Sequence, residues 1–482
     1  MQNNQKQHVK PGGFHNRLFK LKLLAAIWSG KILIALTRVL GRGGTTLPGR
    51  AALRIAPRLL SSLSAPLPQG SLIVTGTNGK TTTSALITAI LKNAGYRCIN
   101  NQSGSNMSWG VASALLAAVS WTGHLPGNYA VMEVDEGAFP GVVSSIKPRG
   151  VVITNVFRDQ LDRYGEVDHV LDAIKKGLEM QPEGCFEVIN ADDPSLAGIA
   201  LNKAKKRWTY GLELDLPAGT FENTGRDMKT CPICTKKLNY DKIYFAHLGH
   251  YHCLSCGYRR QDPDVKLTGS TANPDGSSSV RISLPGENIA VNFHLMGTYN
   301  LYNLLAAVTC ARALDISTTA MRGALEQSTP SFGRMEIFKL ENKTIVMALI
   351  KNPVGANEVL RTILAQKNRI NILVAINDKI ADGTDVSWLW DVDFEQLVSI
   401  EDKLSGVMVS GLRAREMAVR FKYAGLDTAR IGIEENTAAA IGRALEQTSE
   451  GSRLFILPTY TAMLEMRRTL NKMGLGKPYW EE

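Results

Sequence analysis

The sequence predicts an α/β protein, with a P-loop-type central domain, a zinc-ribbon insertion and a C-terminal Rossmann-like α/β domain. Three observations carry this. An apolar run, Ser71-Leu72-Ile73-Val74-Thr75, ends in Gly76-Thr77-Asn78-Gly79-Lys80-Thr81-Thr82-Thr83 and continues into a helical pattern over residues 85–91. Apolar strands alternate with helical stretches, the pattern of a mostly parallel sheet covered on both faces, with ligands at the carboxyl ends of its strands. Four of the seven cysteines form two Cys-x-x-Cys pairs.

At 482 residues the chain has room for two or three domains and a sizeable core. The divisions expected are a basic amphipathic segment over 1–44, a nucleotide-binding domain over 45–332 with the four-cysteine insertion at 226–262, and a C-terminal α/β domain over 333–482. The net charge of +11 favours an acidic partner: nucleic acid, a phosphate-bearing substrate or an anionic membrane surface. Much of the excess lies in the first sixty residues. Lys22, Lys31 and Arg38 interrupt the apolar stretch from Leu21 to Leu40, and no cleavage site follows, which argues against a spanning helix or a signal peptide. It reads as an amphipathic helix packed on the domain behind it, with a peripheral membrane contact as the sharper alternative.

The phosphate loop explains its own residue order. Glycines let backbone N–H groups approach phosphate oxygens, Lys80 supplies a point charge, and a threonine hydroxyl can join a Mg²⁺ shell. The helix that follows adds a favourable field for an anion. Val74 stands where the general Walker pattern has its first glycine, so the match is to a shorter Gly-x-x-Gly-Lys-Thr-Thr form.

Further strands are expected in Tyr129-Ala130-Val131-Met132-Glu133, Val151-Val152-Ile153-Thr154-Asn155-Val156 and Phe186-Glu187-Val188-Ile189-Asn190. Glu133, at a strand end, is the candidate Mg²⁺ carboxylate. Asp192 and Asp193 read as turn and capping residues. Cys231, Cys234, Cys253 and Cys256 can bring four thiolates into a tetrahedron, a closed shell suited to structural zinc. This clustering and the odd cysteine count favour a reducing, cytoplasmic setting. His250 and His252 are alternates that more naturally hydrogen-bond around the knuckle. Lys236, Lys237, Arg259 and Arg260 keep a nucleic-acid reading open.

Asn300 and Asn303, three apart at a helix start, can face one pocket. Arg334 can reach a phosphate or pair with Glu336. Strands near Thr344-Ile345-Val346-Met347, Ile370–Ile376, Gly406-Val407-Met408-Val409-Ser410 and Arg453-Leu454-Phe455-Ile456-Leu457 define the second α/β domain.

Taken in order, Gly76-Thr77-Asn78-Gly79-Lys80-Thr81-Thr82, Thr154-Asn155, Asn190-Ala191-Asp192-Asp193, Gly297 with Asn300 and Asn303, and Gly333-Arg334 resemble the motif set of the Mur ligases. These ATP-dependent enzymes activate a carboxylate as an acyl phosphate. The four-cysteine insertion, Lys351-Asn352-Pro353, Asn377-Asp378, Ala381-Asp382-Gly383-Thr384-Asp385-Val386-Ser387-Trp388, Gly411-Leu412-Arg413-Ala414 and Pro458-Thr459-Tyr460-Thr461 are similar to the MurT branch of that family, the synthase subunits of lipid II isoglutaminyl synthases. The resemblance runs from about Gly41 to the end.

It implies that Gly76, Thr77, Asn78, Gly79, Lys80, Thr81 and Thr82 hold the ATP phosphates, that Thr81 and Glu133 hold Mg²⁺, that Asn303 contacts adenine and that Arg334 reaches the phosphates on closure. The four cysteines would bind Zn²⁺. It also implies lipid II as substrate and, because Cys98, Cys185 and Cys310 lack a paired histidine, a separate GatD-like glutamine amidotransferase subunit in a heterodimer. That partner would be met by the C-terminal domain, with Asp385 orienting the partner's catalytic histidine, although Asp378 and Asp382 lie in the same neighbourhood. No nucleic acid is expected.

Two departures from the resemblance are evident. Gln160 occupies a segment where amino-acid-adding Mur ligases usually carry a histidine, and the stretch before Ser71 is short for the nucleotide-sugar domain that those ligases place first. A lipid-anchored substrate agrees with the second departure. The rival readings are a stand-alone Mur-type amino-acid ligase and a zinc-ribbon nucleic-acid-binding ATPase.

Overall fold

The structure is a computed structural model describing residues 13–39, 45–101, 105–157, 167–199, 206–215, 228–273, 277–329, 333–366 and 368–475. Gln160 and its neighbours lie outside the described residues.

Nine strands form the larger sheet: β1 (Ser71–Thr75), β2 (Cys98–Asn100), β3 (Tyr129–Glu133), β4 (Gly150–Ile153), β5 (Phe186–Asn190), β6 (Arg207–Leu212), β9 (Val265–Ala272), β10 (Ser278–Leu284) and β11 (Glu287–Phe293), in the order β11-β10-β9-β6-β5-β4-β1-β3-β2. Every pairing from β2 across to β9 is parallel, whereas β10 runs antiparallel to both β9 and β11. Side chains alternate between two cores, as a pleat requires. Leu72 and Val74 of β1 point to a layer shared with the Lys80–Asn93 and Thr298–Ala313 helices, while Ile73 points to the layer holding Ala26 and Ile27 of the Gly13–Val39 helix.

The antiparallel extension β9–β11 is not foreseen in the sequence reading. Its strands alternate apolar with polar residues, and β11 buries Ile289, Val291 and Phe293 while exposing the residues between. Only one face is covered there, in contrast to the central strands.

A hairpin of β7 (Asn239–Phe245) and β8 (Leu248–His252) carries the cysteine knuckles. The six-stranded sheet contains β12 (Arg334–Leu340), β13 (Lys343–Ala348), β14 (Ile370–Ala375), β15 (Leu404–Ser410), β16 (Ile431–Ile433) and β17 (Arg453–Pro458), in the order β12-β13-β17-β14-β15-β16. It is parallel except for the β12–β13 pair.

The amino-terminal helix packs as expected through Ala26, Ile27 and Ile34. Among the described residues, no helix is long and apolar enough to cross a membrane.

Candidate active site where two sheets meet

The turn after β1 needs both of its glycines. Gly76 has φ +121° and Gly79 φ +84°, backbone that L side chains rarely adopt. A Cβ on Gly76 would lie 2.4 Å from Thr154 Oγ1, and one on Gly79 only 2.1 Å from Asn303 Oδ1. Thr154 and Asn155, at the end of β4, strap the loop. Asn155 accepts from Thr77 N through its carbonyl and from Asn78 N through Oδ1, each at 2.9 Å. Thr154 Oγ1 donates to Asn78 O at 2.7 Å.

These bonds occupy the amides of Thr77 and Asn78, which the sequence reading assigns to phosphate. The Thr77 hydroxyl also turns inward and accepts from Phe157 N at 3.0 Å. The first turn of the Lys80–Asn93 helix presents N–H groups that lack intrahelical partners, the kind of donor an anion takes.

Lys80 Nζ donates to Gly76 O at 2.5 Å and to Thr77 O at 3.2 Å, and lies 3.1 Å from Glu136 Oε2. Sequence reasoning missed Glu136: a second carboxylate three residues beyond Glu133 carries no spacing signal of its own. Glu133 stands at the end of β3, in register with Val74, half-buried. The two asparagines do not both face the cleft. Asn303 Nδ2 donates to Asn300 Oδ1 at 3.0 Å and Asn300 Nδ2 to Met296 O at 2.7 Å, so Asn300 supports while Asn303 meets the loop and lines the cleft.

The second sheet completes the site. Asn352 caps the Pro353–Leu364 helix by accepting from Gly355 N at 2.8 Å, with Pro353 at the first helical position. The same side chain donates to Asn78 Oδ1 at 3.2 Å, and Lys351 Nζ reaches Thr77 O at 3.4 Å. Sequence alone gave these two residues no role.

Arg334 lines the cleft. Burial lowers its pKa, opposed by the charge of Glu133 and by Tyr299. Pairing of Arg334 with Glu336 is not what forms: Glu336 holds Arg467 at 2.6 Å. The cleft, about 620 Å³, is also lined by Thr82, Tyr299 and Glu358. Burial pushes the Glu358 carboxyl up to about 7 despite its bond to Arg361.

The Sγ atoms of Cys231, Cys234, Cys253 and Cys256 all lie within 4.8 Å of one another, with Cys231–Cys256 at 3.7 Å and Cys234–Cys253 at 3.5 Å. A tetrahedron of thiolates ~2.3 Å from Zn²⁺ has edges of ~3.8 Å, so the donor set fits that ion. His250 and His252 stand aside, bonded to Leu212 O at 3.0 Å and Asp241 Oδ2 at 3.1 Å.

The ribbon is tied to the cleft through Asp192. This wholly buried carboxylate takes Arg260 Nε at 2.6 Å, Leu212 N at 2.9 Å and the hydroxyl of cleft-lining Tyr302 at 2.8 Å. Asp192 is therefore more than a turn residue, whereas Asp193, accepting from Val156 N at 2.9 Å and Ser195 N at 3.0 Å, is a turn and cap. Arg260 is committed to this network and to Glu213 at 2.7 Å, which removes it from a nucleic-acid-binding face.

Three aspartates in the loop after β14 separate by geometry. Asp378 holds Arg413 at 2.6 Å, and Asp382 accepts from Thr461 N at 2.6 Å and Thr461 Oγ1 at 2.5 Å. Asp385 is half-buried and accepts from Ser387 N at 2.8 Å, a bond that lowers its pKa.

A phosphate loop strapped by Thr154-Asn155 and closed by a second α/β sheet defines the Mur-type ATP-dependent ligases. The family model described as Mur ligase middle domain matches residues 74–244, and the one described as MurT ligase C-terminal matches 349–463. Among solved structures, a pseudomurein peptide ligase type C from Methanothermus fervidus shares the fold with TM-score 0.65 at 22% identity, covering 85% of this chain and 80% of its own. Folylpolyglutamate synthase of Mycobacterium tuberculosis does so with TM-score 0.60 at 15% identity, covering 95% and 97%.

More specifically, the chain belongs to the MurT family. It is 34% identical to the MurT subunit of lipid II isoglutaminyl synthase (glutamine-hydrolyzing) of Streptococcus pneumoniae, covering 93% of this chain and 97% of that one. Identity to the same-named subunit of Staphylococcus aureus is 32%, covering 94% and 98%.

Proposed function

We propose that this chain is the synthase subunit of a lipid II isoglutaminyl synthase. It amidates the α-carboxylate of the D-glutamyl residue in the lipid II stem peptide, giving D-isoglutamine for peptidoglycan synthesis. The observation that supports the reading is the meeting of Lys351 and Asn352 with the phosphate loop at the cleft between the two sheets.

Lys80 and the first turn of its helix bind the phosphates, Asn303 and Tyr299 border the adenine, and Arg334 stands opposite to receive the phosphate charge as the sheets close. Thr81 and Glu133 supply hard oxygen donors of the kind Mg²⁺ takes. That ion, when bound, neutralises charge on the transferring phosphoryl group. A carboxylate oxygen of the acceptor attacks the γ-phosphorus, ADP leaves, and the acyl phosphate forms. Ammonia then attacks the carbonyl carbon, inorganic phosphate departs and a proton is lost. The four cysteines hold structural Zn²⁺.

A glutaminase must deliver the ammonia. Burial pushes the Cys98 thiol up to about 11 and that of Cys310 to about 12, opposite to an activated nucleophile. In this reading the glutaminase is a second polypeptide, a GatD-like subunit in a heterodimer, and Asp385 completes its Cys–His pair across the interface. Divisions at 1–44, 45–332 and 333–482 serve these roles: attachment, ATP chemistry and partner contact. The assembly works in the cytoplasm at the inner membrane face, where lipid II presents its stem peptide.

Co-expression with the glutaminase and incubation with lipid II, ATP, Mg²⁺ and glutamine tests the proposal by mass spectrometry. Replacement of one hydroxyl by an amino group, dependent on both ATP and glutamine, is expected. ATP-dependent addition of a whole amino acid would establish the stand-alone ligase instead. ATP turnover stimulated by RNA or DNA would establish the nucleic-acid ATPase.

A further inference from the structure

The Gly13–Val39 helix has two apolar faces, and the domain covers only one. Ala26, Ile27, Gly30 and Ile34 are buried against the core layer. On the opposite side Leu18, Leu21, Trp28, Ile32, Leu36 and Val39 are 49%, 64%, 49%, 51%, 54% and 86% exposed. At ~100° per residue these six fall within ~80° of the circumference, a single continuous stripe.

Cations border the stripe. Lys20, Lys31 and Arg38 lie along one side and Lys22 along the other, and the helix contains no acidic residue. The asymmetry extends well beyond it: residues 1–60 hold eleven Lys and Arg, and no Asp or Glu occurs before Glu133. Trp121, 57% exposed, stands beside the stripe. Trp28 Nε1 donates to its carbonyl at 2.9 Å, and Lys31 Nζ lies 5.5 Å over its ring.

We infer that this helix lies flat on an anionic bilayer surface, burying the Leu18–Val39 stripe among acyl chains with Trp28 and Trp121 at headgroup level. Apolar burial and headgroup attraction act together in such a helix, and tryptophan favours the boundary between water and hydrocarbon. A protein groove would accept the apolar stripe, but only an extended acidic surface also matches an acid-free stretch of this length. The inference deepens the proposed function, in which the acceptor is lipid-linked. Its test contains no acceptor, so vesicle binding and amidation can fail independently.

The test is flotation of the full chain, alone and with its glutaminase subunit, with vesicles of phosphatidylcholine or of phosphatidylcholine and phosphatidylglycerol in equal parts. Binding to the anionic vesicles is expected in both forms, about tenfold above binding to the neutral ones. The Leu21→Gln, Trp28→Gln, Ile32→Gln variant should lose about tenfold or more of that binding with its melting temperature and circular dichroism unchanged. Lys20→Glu with Lys22→Glu and Arg38→Glu should erase the preference for anionic lipid. Flotation of the apolar variant equal to the parent would overturn the inference, as would failure of the parent to float. Loss of flotation on adding the glutaminase would make the stripe a subunit interface. A dimer in light scattering that the variant dissolves would make it a self-contact.

Discussion

Lys80 Nζ lies 3.1 Å from Glu136 Oε2, with only 7% and 5% of the two side chains accessible. The lysine of the phosphate loop is thus held by a buried carboxylate. It also donates to the carbonyls of Gly76 and Thr77. A phosphate bound at this loop should compete with Glu136 for this charge. Lys80→Ala should lower kcat/KM for ATP by about a hundredfold or more, the cost of losing one charged donor to a developing anion. Glu136→Gln removes a buried carboxylate that faces Lys80, so ATP–Mg²⁺ should raise the melting temperature of this variant by more than it raises that of the parent. Equal shifts in differential scanning fluorimetry would remove Glu136 from the nucleotide cycle.

The ribbon and the cleft share Asp192. Removing Arg260 leaves that carboxylate buried without its cation, at a cost of about 3–5 kcal/mol. Arg260→Met should therefore lower the midpoint of urea unfolding and, through Tyr302, raise the KM for ATP. Zinc chelation should act in the same direction as the ribbon loosens, with metal release followed by a colorimetric chelator. A chelated protein with unchanged KM and stability would separate the ribbon from the site.

Glu358 gives the stability a pH dependence of definite sign. Its folded pKa, about 7, stands above the ordinary value of 4.5, so between these values the folded state binds more protons than the unfolded. Stability contributed through this group falls as pH rises from about 4.5 to about 7. The full cost of the buried charge is of the order of 3 kcal/mol above that range. Glu358→Gln should be more stable than the parent at pH 8 and closer to it at pH 5, as measured by urea unfolding at both pH values. A difference independent of pH would show that Glu358 does not titrate there.

Asp382 and Asp385 should respond differently to the same change. Asp382→Asn weakens the bonds to Thr461 at the start of the Tyr460–Lys472 helix and should cost about 1 kcal/mol of stability. Asp385→Asn should leave the melting temperature in place and abolish most glutamine hydrolysis by the mixed subunits. Unchanged hydrolysis would exclude Asp385 from the partner's triad.

Much of this site is legible in the sequence because it is local. A strand, a Gly-x-x-Gly-Lys turn and a helix start occupy consecutive residues, and two Cys-x-x-Cys knuckles carry their own spacing. Glu136, Lys351, Asn352 and Glu358 were not assigned to the site, because each acquires its role from a neighbour distant in the chain or from a turn without a spacing rule. The split between Asn300 and Asn303 was equally hidden, since helical spacing places both near one face without deciding which of them turns to the loop.

By itself the sequence determined the phosphate loop, the thiol cluster, the alternating α/β pattern and the excess of positive charge at the amino-terminal end. Local backbone preference and side-chain chemistry specify such features over a few residues. Only the tertiary structure decided that Glu136 holds Lys80, that Asp192 joins ribbon to cleft, and that the domain leaves an apolar stripe of the amino-terminal helix uncovered. Burial and ion pairing depend on which surfaces meet, and that is settled when strands far apart in the chain are laid side by side.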